Sequence, residues 1–429
     1  MSDHVAMALD GSDRVPTSFP DDVVSSRPEI KPPEPALTAA DLLERAAAMR
    51  KSIRAEASDN EQRGGYSPER HQAFTEAGFY RMLQPRRYGG YEIGLDEFLR
   101  VVMEVSRADP ATGWSMCLAS AHVFQLAAFF GATAQDEMFP ADGHVVIPSR
   151  NIPRGTVTPV DGGWVLDGTW DYASGCTYAT HMMGVALDPD GEKQIFVITA
   201  DQIRILDDWG GGRTLGLGGS GSNSVLIDKV FVPCHRVQPY VWKDYVIPRE
   251  GTPGYRIHGN PMYLARTLTL FWGELAAIMV GTARGMLDEY ERLIRERPTS
   301  FPPPMPRIES LDYLRWFGEA LALVDTAEFA VLGAARDYMD RCRRWADTGE
   351  DFTVLQDARL RDVVTSGARI ANEAITLMFD TGGSNAARSD STLLRYYRDA
   401  AMFRTHIAAQ YDAVWLSTGR VWFGGPLSH

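Results

Sequence analysis

From about residue 37 to residue 130, apolar side chains return with the ~3.6-residue period of helices. The runs are LTAADLLERAAAMRKSIRAEA, SPERHQAFTEAGF behind a Ser-Pro-Glu start, LDEFLRVVMEVSRA, and a long apolar stretch over 110–130. Gly89 and Gly90 interrupt the series as a turn. From about His144 the pattern alternates instead: HVVIP, GWVLDGTW, THMMGVAL, KQIFVIT, IRIL and SVLIDKVFVP follow one another between Gly, Asp and Pro, which predicts an antiparallel β module. A Pro/Gly-rich loop over 248–261 marks its exit. Beyond it, helical periodicity spans roughly 265–297, 308–348, 353–380 and 390–421, broken at SFPPPMP, as suits an antiparallel bundle.

Residues 1–36 carry Pro16, Pro20, Pro28, Pro32, Pro33 and Pro35 among Ser and Asp, with little apolar periodicity to bury, so a disordered tail is expected there. The whole reads as α+β: tail 1–36, N-terminal helical domain 37–142, middle β-barrel-like domain 143–247 and C-terminal four-helix bundle 248–429.

Composition narrows the function classes. The chain has 429 residues, 45% of them hydrophobic and 23% charged, enough for large cores. Its 43 Lys+Arg against 56 Asp+Glu give a formal charge of −13, which argues against a partner recognised through phosphate, whether nucleic acid or anionic membrane. Cys117, Cys176, Cys234 and Cys342 form no CxxC pair, so neither a disulfide framework nor a zinc knuckle is expected. LTLFWGELAAIMVG, the most apolar run, is short for a membrane span and is interrupted by Glu274. A cytoplasmic protein is expected.

Two motifs need a physical reading. GLGGSG at 216–221 satisfies G-x-G-x-x-G, but a strand-like run follows it where a dinucleotide site needs a helix N-terminus. It is expected to be a flexible turn beside a ligand. None of the nine histidines makes an HExxH or another helical ligand pair, so no metal site is expected. His122 and His406 stand apart because each lies in an apolar helical stretch, where burying an imidazole demands a hydrogen-bond partner.

The order of helical domain, β module and helical bundle resembles the acyl-CoA dehydrogenase fold. EAGFYRMLQPRRYGG, GWVLDGTWDYASGCTYAT, SVLIDKVFVP and FDTGGSNAARSDSTLLRYYRDAAMF look like segments of that superfamily. The resemblance implies that Ser174 reaches the N5 side of a flavin. It also implies that Gly382, Gly383 and Ser384 form a turn touching a neighbouring subunit's flavin in a homotetramer. One departure matters: RDAAMFRTHI puts Ile407 where a dehydrogenase carries its catalytic Glu, with His406 just before it. Isoleucine cannot accept a proton.

With that departure, Gly113-Trp114 followed by His122, Ser149 in the first strand region, Ser174-Gly175 and His406 are similar to the oxygenase components of two-component phenol hydroxylases built on this fold. That resemblance implies a reduced-flavin-dependent monooxygenase. FADH2 or FMNH2, delivered by a separate NAD(P)H:flavin reductase, would react with O2 to a C4a-hydroperoxide that hydroxylates a small phenolic aromatic substrate ortho to its OH. The implied roles are His406 as base or cationic stabiliser of the phenolate, His122 and Ser149 as orienters of the substrate hydroxyl, and Ser174 at N5. Trp114, Tyr172, Ser174, Gly175, Gly382, Gly383 and Ser384 are implied at the flavin. The rival readings are N- or S-oxygenation by the same chemistry, an acyl-CoA dehydrogenase or oxidase with a relocated base, and a flavin-free scaffold.

Overall fold

The computed structural model of the protein describes residues 19–240, 243, 245–300 and 302–427. Six helices come first: α1 (Ala39–Arg63), α2 (Pro68–Ala77), α3 (Leu95–Ala108), α4 (Pro110–Ala121), α5 (Val123–Phe129) and α6 (Ala132–Met138). Their starts are encoded locally. Thr38 forms a capping box with Asp41, Ser67 precedes Pro68, and Asp109 precedes Pro110 and accepts the Thr112 N–H at 2.9 Å, so orphan amides at each N-terminus are satisfied. The stretch 110–130, expected as one helix, breaks at His122. There the ring Nδ1–H donates to the Leu118 carbonyl at 2.6 Å, the type of side-chain back-bond that competes with the helical ladder.

The expected tail needs correction for 19–36; residues 1–18 lie outside the described residues. Phe19 stacks on Phe129 at 6.0 Å, Asp136 accepts from Ser25 Oγ and Ser26 N–H, and Ile30 bridges to Tyr88. The segment is an extended strap held by single anchors, which leaves no periodic trace in the sequence.

Eight strands follow: β1 (Ser149–Arg150), β2 (Thr156–Val160), β3 (Gly163–Trp170), β4 (His181–Leu187), β5 (Lys193–Thr199), β6 (Arg204–Ile205), β7 (Val225–Pro233) and β8 (Val237–Pro239). They form one sheet in the order β6-β7-β3-β2-β4-β5-β8, with β1 beside β4. The module is mixed rather than wholly antiparallel, because β1 and β2 both run parallel to β4. It is open rather than closed, because β6 and β8 end the path without pairing each other among the described residues. Trp170, Leu166, Phe196, Ile198 and Ile227 fill its own core.

The remaining chain is helical: α7 (Pro253–His258), α8 (Thr267–Glu296), α9 (Leu311–Thr348), α10 (Val354–Thr381), α11 (Thr392–Phe403) and α12 (Tyr411–Trp422). Asp357 on α10 starts α8 by accepting the Leu268 and Thr269 N–H groups at 3.0 Å each. The fourth bundle element, expected unbroken over 390–421, is interrupted at 404–410, and His406 sits in that interruption rather than within a helix. The N-terminal helices and the bundle share one apolar core. Gly113 and Gly281 make the contact possible, since a Cβ would fall 2.8 Å from Ser106 Cα at the first and 2.3 Å from the Met103 carbonyl at the second. Among the described residues no helix is long and apolar enough to cross a membrane.

Candidate active site

Between the N-terminal helices, the sheet and the bundle lies a cavity of about 460 Å³. α4 lines it with Trp114 and Leu118, and His122, which caps that helix, continues the same four-residue spacing. α8 contributes Phe271, Glu274 and Leu275; β1 contributes Ser149 and Arg150, followed by Asn151; the turn after β3 contributes Tyr172 and Ser174. Leu217, Ser220 and Ser222 come from the glycine loop, and Phe403, His406 and Ile407 from the α11–α12 junction.

One end of the cavity carries a hydroxyl chain. Trp114 Nε1–H donates to Ser174 Oγ at 3.0 Å, Ser174 Oγ lies 2.8 Å from Ser222 Oγ, and Ser222 Oγ lies 2.6 Å from Ser220 Oγ. All four side chains are buried. Tyr172 stands at the rim, 51% exposed, with its ring edge-on to Trp209 at 5.7 Å. The Arg150 guanidinium lies 5.7 Å from the Tyr172 ring centre and 3.4 Å from the Asp171 carboxylate.

The two histidines hold opposite tautomers. Burial, with the Arg150 charge adding to it, pulls His406 down to about 4. Burial also pulls His122 to about 4, against the pull of the Leu118 and Ile147 carbonyls. Both rings are therefore neutral at pH 7, and each carries one ring proton. His406 Nδ1 accepts the Ala408 N–H at 3.2 Å, so its proton is on Nε2 and the ring is a donor. His122 Nδ1 faces the Leu118 carbonyl and must donate, so its Nε2 is an acceptor. The neutral donor is then His406 and the bare ring nitrogen belongs to His122. Ser149 Oγ donates to Asn151 Oδ1 at 3.1 Å.

The structure thus gathers His406, Ser174, His122, Ser149, Trp114 and Tyr172 around one cavity. Gly175 lies just behind the wall. Its φ of 80° and its N–H bonds to the Ser220 and Gly221 carbonyls shape the turn, and a Cβ there would sit 2.7 Å from the Ser115 carbonyl. Gly382, Gly383 and Ser384 are elsewhere, past the end of α10, where Arg307 Nη1 donates to the Gly382 carbonyl at 3.1 Å. The loop at 216–221 does run into a strand, β7, and it borders the cavity. It is packed rather than flexible: a Cβ on Gly216 would meet the Arg398 carbonyl at 2.3 Å, and Leu217 N–H donates to Asp399 Oδ1 at 2.6 Å.

Sequence reasoning missed Arg150, Asn151, Ser220, Ser222, Trp209 and Glu274. Glu274 had a signal, as the only charge in LTLFWGELAAIMVG. Ser220 and Ser222 had one too, at the end of a glycine-rich loop.

The family model for the acyl-CoA dehydrogenase N-terminal domain matches residues 42–140, and that for the C-terminal domain matches residues 274–411. Together they span more than half of the sequence and lie on the two helical regions that enclose the cavity. The chain belongs to the acyl-CoA dehydrogenase superfamily. Within that superfamily it is 28% identical, over 90% of its length and 99% of the relative's, to the flavin-dependent monooxygenase oxygenase subunit HsaA of Rhodococcus jostii. It is 24% identical, over 91% of its length and 90% of the relative's, to the p-hydroxyphenylacetate 3-hydroxylase oxygenase component of Acinetobacter baumannii. The crystal structure of 3-HSA hydroxylase from Rhodococcus sp. RHA1 superposes with a TM-score of 0.80 at 26% identity, covering 91% of this chain and 98% of that one.

Proposed function

We propose that the protein is the oxygenase component of a two-component flavin-dependent monooxygenase that hydroxylates a phenol ortho to its hydroxyl group. The observation that carries this reading is the pair of neutral imidazoles on one cavity, with Ile407 where desaturation would require a carboxylate. The relatives named above support the class of reaction.

The residues fit a reduced flavin. Trp114, Leu217, Phe403 and the rim Tyr172 offer flat or apolar surface for an isoalloxazine, and the Ser174, Ser220 and Ser222 hydroxyls offer donors and acceptors at its polar edge. When bound, reduced flavin activates O2, so that one oxygen atom enters the aromatic ring and the other leaves as water.

The protein's part is binding, orientation and proton control. Ser174 would hold the N5 edge, its oxygen already fixed by Trp114. His406, on the cavity wall, would offer a neutral Nε2–H donor without the acidity of an imidazolium. A phenol seated at His122 and Ser149 donates its O–H to His122 Nε2. The phenol pKa near ~10 lies far above that of His122, so the proton moves only as the ring carbon is attacked, which is general-base catalysis in the transition state. Apolar walls exclude water that would divert the oxygen to peroxide.

A separate reductase is supported by the naming of the relatives as an oxygenase subunit and an oxygenase component, and the loop at 216–221, which leads into β7 and not into a helix that could receive a pyrophosphate, is in keeping with it. The purified protein is expected to consume no NADH until a flavin reductase is added; robust NADH oxidation without one would contradict the two-component scheme.

One observation favours a second reading. Glu274 puts a carboxyl on the same cavity, as an acyl-CoA dehydrogenase with a relocated base would need. Anaerobic octanoyl-CoA should leave oxidised flavin on the protein unreduced if hydroxylation is the activity; bleaching of the flavin would favour desaturation.

A further inference from the structure

Glu274 and Arg150 are the charged-type residues of the cavity wall to which the proposed mechanism gives no task, and Arg150 is already paired with Asp171. Glu274 lies on α8 one turn past Phe271, whose ring packs 5.8 Å from the His122 ring. The residue is 2% exposed, and its Oε2 is buried without a hydrogen-bond partner. Cys117 of α4, buried and free, is close enough for the carboxyl to raise its thiol pKa. Burial raises the Glu274 pKa well above the usual carboxylate range, which favours the protonated carboxyl. An unsatisfied buried polar group destabilises the fold. A leucine of similar size in this apolar wall would avoid that cost, and a carboxyl there serves whatever enters the cavity.

We infer that Glu274 is a specificity-determining residue that donates its carboxylic O–H to a second, neutral oxygen on the substrate, so that preferred substrates are phenols bearing a ketone or hydroxyl as well as the phenolic OH. The phenolic OH sits at His122 and Ser149, and the second oxygen is met at Glu274, one helical turn past Phe271 on α8. Ketone and hydroxyl oxygens fit better than carboxylates, which would have to shed their hydration in an apolar pocket. They also fit better than ammonium groups, which would require Glu274 to ionise with no protein cation beside it. This inference rests on the phenol hydroxylase reading and adds to it the identity of a second recognition point.

The test uses protein saturated anaerobically with reduced FMN or FAD, titrated through tryptophan fluorescence with three probes: para-butylphenol, its methyl-ketone analogue para-hydroxyphenylbutanone, and tyramine. Wild type should bind the ketone roughly ten- to hundredfold more tightly than para-butylphenol, in line with one buried hydrogen bond that would otherwise be unmade. Glu274→Gln keeps a donor and should hold most of that preference. Glu274→Leu should abolish it, leave para-butylphenol affinity unchanged, and melt no lower than wild type. Equal wild-type affinity for ketone and alkyl probe, or no binding of either, would overturn the inference. So would equal loss of the ketone preference in the Gln and Leu variants, or a preference for tyramine that both variants remove, since the latter points to an ionised carboxylate. Admitting O2 to wild type with para-butylphenol tests the hydroxylase reading separately, because its oxygenation does not involve Glu274.

Discussion

His406 stands edge-on to Trp114, ring centres 5.5 Å apart and planes 80° apart, while the same imidazole accepts the Ala408 N–H through Nδ1. The helix break at 404–410 and the apolar face of α4 together fix a neutral donor next to the indole that anchors Ser174. Removing that donor should uncouple oxygen activation from oxygen transfer. In His406→Ala, hydroxylated product per peroxide released is expected to fall roughly ten- to hundredfold, with reduced-flavin affinity nearly unchanged. Assays of peroxide and product in parallel check this; normal coupling in the variant would remove His406 from the mechanism.

Both cavity histidines titrate near 4, well below the free imidazole. The kcat/KM profile of wild type should therefore show no step near ~6.5, the ordinary imidazole value. Replacing the acceptor ring, as in His122→Phe, should lower the rate at neutral pH by about two orders of magnitude. The same variant should acquire a rate that climbs with pH toward the phenol's own pKa. Steady-state profiles from pH 6 to about 10 separate the two behaviours.

The Trp114–Ser174 contact offers a cleaner stability test. Ser174→Ala leaves a buried indole N–H with no acceptor, at a cost of roughly 1–3 kcal/mol. Trp114→Phe with Ser174→Ala removes donor and acceptor together, so the double variant should lose less than the sum of the singles. Urea denaturation of the four proteins measures the coupling; strict additivity would mean the bond contributes nothing.

The fold was largely legible because its signals are periodic: helical runs over 37–130, alternation from His144, and helical runs again after the 248–261 loop. The site was legible where a motif isolated a residue, as with Gly113-Trp114, Ser174 and His406. What stayed hidden depends on three-dimensional approach. Arg150 reaches Tyr172 through a two-residue strand paired to β4, and Ser222 meets Ser174 from 48 positions away. Ring tautomers cannot be read from a sequence either, because they follow from which carbonyl or amide lies beside each imidazole.

The chain should be sensitive to acid. His122, His181 and His406 are each lowered to about 4, and His258 to about 3, chiefly by burial. A lowered folded-state value means that the unfolded chain binds more protons between pH 4 and about 6.5, so stability is complete above that window and is lost as pH falls through it. Buried Asp399, raised to about 8, and Glu274 act in the opposite sense, so the histidine contribution is read as the urea-midpoint difference between wild type and a His181→Phe variant, which should shift against wild type as pH falls from 7 to about 4. A pH-independent difference would contradict the buried, neutral state of that ring.

The most direct test of the central claim is to mix the protein with chemically reduced FMN or FAD, isotopically labelled O2 and a panel of phenols, without reductase, and to analyse the products by mass spectrometry. A catechol carrying one labelled oxygen atom is predicted, formed in amounts limited by the reduced flavin supplied. Unlabelled phenol recovered intact across the panel, alongside reduction of the protein's oxidised flavin by an acyl-CoA thioester, would contradict it.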